Sequence, residues 1–278
     1  MPWRVWGATL NTVHGEDDFS FWLSSDAEWG AIAVADGVSA TSGGGASFLA
    51  AHGFTLACRL LRRAVGGVSG LSLARRCLDY VSRIAVEAYE DDADLIEMAK
   101  KKYYSGCSND GKPCTEPMTL DYLLTRRLQV EARRLPREAP PASTLIAALL
   151  MPNSLTAVIS GDGYILGATP MKEETWLLWG AIPQLFEGSR LIRYIEVRKG
   201  AVGKPLVAEM NVYPGTVYIA STDGVDAATL AEVVTDLLQS QPNIETVGHP
   251  AAYLLEQVRE RSGGYEDDAT IVVAAYSA

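Results

Sequence analysis

The 278-residue chain reads as an α+β protein, in which antiparallel β-sheets pack on each other with helices outside. Three observations predict this. Short apolar or alternating runs bounded by turn residues fill the start, the second half and the end of the chain. Between them lie stretches whose apolar residues recur at helical spacing. Hydrophobic residues make up 48% of the whole, enough for a large core. No repeat, low-complexity tract or long linker interrupts the pattern, and the proline-rich stretch 135–141 is too short to separate domains. Residues 1–278 are therefore read as one domain.

The elements follow in order. Residues 4–10, 19–23 and 31–35 read as strands. A helix over 45–64 carries Phe48, Ala51, Leu56, Leu60 and Leu61 near a 3.6-residue period, and Gly66-Gly67 ends it. A longer helical stretch over 71–102 is interrupted by Glu90-Asp91-Asp92. Cys107 and Cys114 then flank a polar segment with strong turn chemistry, which either pairs them or leaves two free thiols on a loop. A helix over 120–135 follows. Strands are expected at 143–150, 156–160, 164–168, 175–179, 193–197 and 216–221. A helix over 227–239 has Leu230, Val233, Val234, Leu237 and Leu238 on one face and stops before Pro242. The next opens with Pro250 and closes before Gly263-Gly264, and the chain ends in a strand over 269–276.

Charge and composition exclude several functions. The net charge is −10, and no basic stripe exists to displace counterions from a phosphate backbone, so neither nucleic acid nor an acidic membrane is a partner. The longest apolar run, 145–151, is far short of the ~20 residues of a membrane helix. Residues 1–6 lack a basic segment followed by an apolar one, so no signal peptide is read and the expected location is cytoplasmic. Four cysteines and three histidines form no zinc-ligand spacing. Cys58 and Cys77 read as small buried side chains.

The carboxylates are the informative feature. Apolar runs lead into Asp36-Gly37, Asp162-Gly163 and Asp223-Gly224, and Asp267-Asp268 opens the final strand. Asp-Gly is a common hairpin turn, and a strand follows Asp162-Gly163, so a hairpin fits there. Helices follow the other two pairs, where no hairpin fits. A bare charge at the end of a buried strand is costly unless something positive meets it. Oxygen-only ligands select hard cations, Mg²⁺ or Mn²⁺. With Glu16-Asp17-Asp18 nearby, Glu16, Asp36, Asp223 and Asp267 carry the four negative charges that match two divalent ions. Such a pair activates water and stabilises the transition state of phosphoryl transfer. Gly37 lets a backbone carbonyl come close to a metal.

These residues resemble the metal-dependent protein phosphatases of the protein phosphatase 2C (PPM) family, whose motifs occur in order across nearly the whole chain. The family's Glu-Asp motif resembles Gly15-Glu16-Asp17-Asp18-Phe19. Its Ala-Asp-Gly segment resembles Ala35-Asp36-Gly37, with Gly43-Gly44-Gly45 leading into a helix. Its Gly-Thr-Thr-Leu strand resembles Ala142-Ser143-Thr144-Leu145, and its Gly-Asp-Ser-Arg position holds Gly161-Asp162-Gly163-Tyr164. Thr222-Asp223-Gly224 is unchanged, and the closing Asp-Asn motif resembles Asp267-Asp268. The resemblance implies a four-layer αββα sandwich with two Mn²⁺ or Mg²⁺ ions between the sheet ends. Asp36 would bridge both ions and Gly37 add its carbonyl. Asp223 and Asp267 would complete one site, while Glu16, with Asp17 beside it, would ligate or hold the waters of the other. Asp162 would serve a third ion, shared with Asp223. The implied substrate is phosphoserine or phosphothreonine in proteins.

The chain also departs from the family. Where an arginine commonly binds substrate phosphate, Thr12, Val13 and His14 stand; Val38 replaces a histidine found in some members; and Asp268 replaces the final asparagine. The segment 169–216 is short for the family's flap, and 103–137 reads as an insertion. On an extended strand Thr12, His14 and Glu16 would share a face. That makes Thr12 and His14 candidates for binding substrate, and His14 for protonating the leaving group. Two other functions stay open: a regulatory module that keeps the fold without turnover, and a phosphatase for small phosphorylated metabolites.

Overall fold

The computed structural model of the chain describes residues 2–11, 13–38, 43–64, 69–82, 93–107, 111–127, 140–171, 176–181, 186–187, 190–191, 193–196, 200–241 and 243–277. Thr12, Gly66-Gly67, Glu90-Asp91-Asp92, Pro242 and most of the stretch 135–141 lie outside them. The strands in chain order are β1 (Trp3–Leu10), β2 (Asp18–Leu23), β3 (Gly30–Ala35), β4 (Ala142–Ser143), β5 (Leu145–Leu150), β6 (Ser154–Ser160), β7 (Tyr164–Pro170), β8 (Trp176–Ala181), β9 (Phe186–Glu187), β10 (Arg190–Leu191), β11 (Tyr194–Glu196), β12 (Gly200–Val202), β13 (Leu206–Asn211), β14 (Val217–Ser221) and β15 (Ala269–Tyr276). The helices are α1 (Gly43–Ala64), α2 (Gly70–Tyr80), α3 (Ala93–Cys107), α4 (Leu120–Arg127), α5 (Ala227–Ser240) and α6 (Pro250–Ser262).

Two five-stranded antiparallel sheets form the middle layers, in the orders β1-β15-β14-β7-β8 and β13-β6-β5-β3-β2. Side chains alternate across each strand, and β15 shows the consequence. Val272, Ala274 and Tyr276 face the core between the sheets, whereas Ile271, Val273 and Ala275 join the core under α5 and α6. Covered on both faces, this strand is buried throughout and, apart from Thr270, does not alternate with polar residues. β3 is buried along its whole length for the same reason, with α1 on its outer side. α1 buries Phe48, Ala51, Phe54 and Cys58 and leaves Leu56 and Leu60 exposed. α5 starts on Asp226, whose carboxylate accepts the Thr229 amide, and α6 ends at Gly263 in the left-handed conformation. The layers are thus helix, sheet, sheet, helix.

Several expected elements change. The helical stretch 71–102 gives α2 and α3, with 83–92 outside the described residues. The helix expected over 120–135 is described to Arg127. The strand expected over 143–150 breaks at Thr144, whose amide turns to the Asp36 carbonyl at 2.8 Å. β13 was not expected; it is a sheet edge whose residues are nearly all partly exposed, so no inside–outside pattern marks it. Asp162-Gly163 is not a hairpin, because β6 pairs with β5 and β13 while β7 pairs with β14 and β8. The chain crosses there from one sheet to the other. Cys107 and Cys114 form a disulfide with Cα atoms 5.6 Å apart. Cys114 also exchanges backbone hydrogen bonds with Thr9, tying the end of α3 to β1.

Candidate metal centre

The acidic residues gather at one end of the sandwich because each ends or begins a strand there. Asp36 follows β3, Asp162 lies in the crossing after β6, Asp223 follows β14, Asp267 precedes β15, and Glu16-Asp17 precede β2. One carboxylate oxygen from each of Asp36, Asp162 and Asp223 lies within 4.8 Å of the others. Asp36 and Asp162 are half-buried, and Asp223 stands at the open rim. Asp267 is outside this trio but near enough for its charge to act on all three.

Backbone geometry fixes these positions. The Asp36 amide donates to Thr144 Oγ1 at 2.9 Å, and its carbonyl accepts Ser143 Oγ at 2.7 Å and the Thr144 amide. The hydroxyls of the Ala-Ser-Thr-Leu segment therefore hold the peptide that carries Asp36. Glycine is required beside two of the aspartates. A Cβ on Gly37 would sit 2.2 Å from the Gly43 carbonyl carbon, and one on Gly224 would sit 1.9 Å from the Asp268 carbonyl oxygen. Both glycines serve close backbone approach, not a hairpin.

The segment before β2 is held from several sides. Asp268, buried, accepts the amides of Val13 at 2.8 Å and His14 at 3.2 Å on Oδ1, and of Glu16 at 2.8 Å on Oδ2. Thr222 Oγ1 donates to Asp17 Oδ2 at 2.8 Å. Asp18 is not part of the trio and is fully buried in a separate network. It accepts Tyr104 Oη at 2.9 Å and lies 3.8 Å from Lys100 Nζ and 3.6 Å from His52 Nε2. Burial works to raise its pKa, but Lys100 and then His52 win and hold Asp18 below the usual carboxylate range.

The extended strand expected here does not form over residues 13–16. β1 stops at Leu10, and Gly15 adopts a φ of 73°, which breaks strict alternation. His14 reaches the site by this turn instead. Its Nε2 lies 3.9 Å from Asp267 Oδ1, with both side chains about half exposed. Thr12 lies outside the described residues.

Without a cation the cluster is electrostatically costly. Burial, then the charge of Asp223, pushes Asp36 up to about 8. Partial loss of water, then Asp162 and Asp267, pushes Asp223 up to about 6. Burial, then Asp36 and Asp268, pushes Asp17 well above the ordinary range, and Asp162 is raised mainly by burial. Asp17 Oδ1 and Asp162 Oδ1 are buried and receive no N–H or O–H donor, and Asp17 has the like-charged carboxyl of Asp36 beside it. Orphaned acceptors among carboxylates that repel one another fit a divalent cation, and an all-oxygen donor set fits Mg²⁺ or Mn²⁺.

Sequence reasoning had not singled out Thr222, Asp268 or Lys100 as members of this site. For Lys100 a signal existed: Ile96, Lys100 and Tyr104 are spaced four apart on one buried stripe of α3, which puts a lysine where the pattern calls for an apolar residue.

No family model matches the sequence, and no curated protein is significantly similar to it. Solved structures are. The catalytic domain of the serine/threonine phosphatase PstP, in complex with two manganese ions, superposes with a TM-score of 0.56 at 18% identity over 99% of both chains. Stp1 of Staphylococcus aureus, a serine/threonine phosphatase, gives 0.60 at 13% identity over 100% of this chain and 96% of that one. The photosystem II phosphatase PBCP gives 0.57 at 14% over 99% of each. The likeness runs the length of the chain and includes both sheets, so this chain has the αββα fold of the protein phosphatase 2C-type serine/threonine phosphatases.

Proposed function

We propose that the chain is a Mg²⁺- or Mn²⁺-dependent phosphatase acting on phosphoserine and phosphothreonine in proteins. The observation that carries the reading is the meeting of Asp36, Asp162 and Asp223 at the sheet ends, within a fold shared with such phosphatases. Asp36, Gly37, Asp223 and Asp267 would hold one ion, with Asp36 shared with a second near Glu16 and Asp17; Asp162 and Asp223 would hold a third where one binds. When bound, the ions supply Lewis-acid activation of water and offset the charge of the phosphoryl group.

The protein's own residues do the rest. Thr222 and Asp268 orient Asp17 and the 13–16 turn, so the carboxylates are placed before a ligand arrives. Ser143 and Thr144 do the same for Asp36. His14, 3.9 Å from Asp267, would contact a phosphate oxygen or give a proton to the leaving alkoxide. No arginine precedes the Glu-Asp motif at the position usual in the family, and this favours a second reading, a regulatory module that binds metal without turnover.

One assay separates the two: hydrolysis of an aryl phosphate and of a phosphothreonine peptide, each with Mn²⁺ and with chelator. Chelator-sensitive turnover of both is expected of the enzyme. Mn²⁺ binding with neither substrate hydrolysed would overturn it in favour of the module.

A further inference from the structure

Among the described residues, Lys100 is the only lysine or arginine sealed from solvent. Its ammonium has three donors, and three acceptors surround it. Nζ donates to the Glu16 carbonyl at 2.7 Å and to Ser47 Oγ at 2.7 Å, and it faces Asp18 Oδ2 at 3.8 Å. The Ser47 hydroxyl itself donates to the same Glu16 carbonyl. Two donors therefore converge on one oxygen, the carbonyl of the peptide that joins Glu16 to Asp17.

The segment is also gripped on either side of that peptide. Asp268 takes the Glu16 amide at 2.8 Å, and Asn11 Nδ2 donates to the Asp17 carbonyl at 2.9 Å. Backbone held at both ends in this way fixes the directions in which the Glu16 and Asp17 side chains leave it. Burying an ammonium is costly unless its partners are well placed. An ion pair with Asp18 alone, at 3.8 Å, is a weak reason to bear that cost, whereas two 2.7 Å bonds to the Glu16 carbonyl and Ser47 account for the position of Nζ.

We propose that Lys100 is a positioning residue for the metal centre, holding the Glu16–Asp17 peptide from the interior so that both carboxylates are aimed at the ions. The proposal rests on the metal-site reading above. Lys100 acts on the site through backbone, not through contact with substrate. α3 contributes none of the expected metal ligands, and Lys100 couples it to the site.

The test compares Lys100→Met with the double variant Lys100→Met/Asp18→Asn, using calorimetric Mn²⁺ titration and thermal unfolding in chelator. Lys100→Met leaves Asp18 buried without its lysine and should be strongly destabilised. The double variant removes both charges, and its unfolding temperature in chelator should return towards the parent's. Its Mn²⁺ affinity should stay about tenfold or more below the parent's, the usual loss when a group supporting metal ligands is removed. With a phosphothreonine peptide, the Mn²⁺ concentration for half-maximal rate should rise, while the peptide KM at saturating Mn²⁺ stays the parent's. Parental Mn²⁺ affinity in the folded double variant would overturn the positioning role and leave the metal site standing. A parent that binds no Mn²⁺ would overturn both. If neither lysine variant folds, Ser47→Ala serves instead. Loss of its bond to the Glu16 carbonyl should weaken Mn²⁺ binding about threefold, and an unchanged affinity would count against the proposal.

Discussion

Thr222 Oγ1 donates a 2.8 Å hydrogen bond to Asp17 Oδ2 while accepting the Thr270 amide at 3.1 Å. One hydroxyl thus links the ends of β14 and β15 in one sheet to the segment that opens β2 in the other. The threonine of the Thr-Asp-Gly triplet thus holds a carboxylate 205 residues away in sequence. Thr222→Val keeps the shape and removes both bonds. It should lower Mn²⁺ affinity at least tenfold, as the loss of a hydrogen bond to a charged group, worth ~1.5–3 kcal/mol, implies; Thr222→Ser should restore most of it. Calorimetric titration of the two variants checks this.

The carboxylates of the site set the pH dependence of the metal-free protein. Asp36 and Asp223 have folded values raised to about 8 and about 6, against 3.8 for the ordinary group. The folded state therefore holds protons that the unfolded state has released. Their contribution to stability is complete below the unfolded value and is lost as pH rises through the folded ones. In chelator, the unfolding temperature should fall from about pH 4, just above the unfolded value of 3.8, to about pH 8, most steeply below about pH 6 where both groups hold extra protons. Mn²⁺ displaces the same protons, so its apparent affinity should rise over that interval and its stabilising effect should be largest at the alkaline end. Thermal melts at both ends, with chelator and with Mn²⁺, test the sign.

Asp268 explains one departure from the family's motif. Its two oxygens accept three amides, those of Val13, His14 and Glu16. An asparagine has one acceptor oxygen, and its amide nitrogen would face a backbone donor. Asp268→Asn should cost about 1–3 kcal/mol, the usual penalty for a buried donor left unmet, and loosen the turn that carries His14. Denaturant unfolding in chelator measures it. A variant as stable as the parent would show that this turn does not need the carboxylate.

Much of the site was legible because its carboxylates sit where apolar runs end, a place where a bare charge has no other reason to be. Asp36 and Asp223 stood out because helices, not strands, follow them. Local chemistry failed where the answer lay in long-range pairing. Asp162-Gly163 has the residues of a hairpin, and nothing near it in sequence says that β7 joins the opposite sheet. The alternation argument for His14 failed on one glycine, since Gly15 at φ 73° turns the chain where an extended strand was assumed. β13 was missed because an edge strand with one partner has no continuous buried face.

His14 remains near Asp267, and its role can be separated by substrate. His14→Ala should lose much of its rate with an alkyl phosphoester, whose leaving group needs a proton. With an aryl phosphate, whose leaving group does not, the rate should change little. A rise in KM for both substrates would assign phosphate binding instead, and parental kinetics with both would remove His14 from the mechanism.

The most direct measurement is phosphate release from a phosphothreonine peptide by the parent and by Asp36→Asn, each at saturating Mn²⁺. Asp36 lies in the trio with Asp162 and Asp223 and is the carboxylate proposed to serve both ions. The account predicts chelator-sensitive turnover in the parent and a loss of at least about a hundredfold in the folded variant, the upper range for weakened metal sites. Turnover by Asp36→Asn at the parent's rate would contradict it.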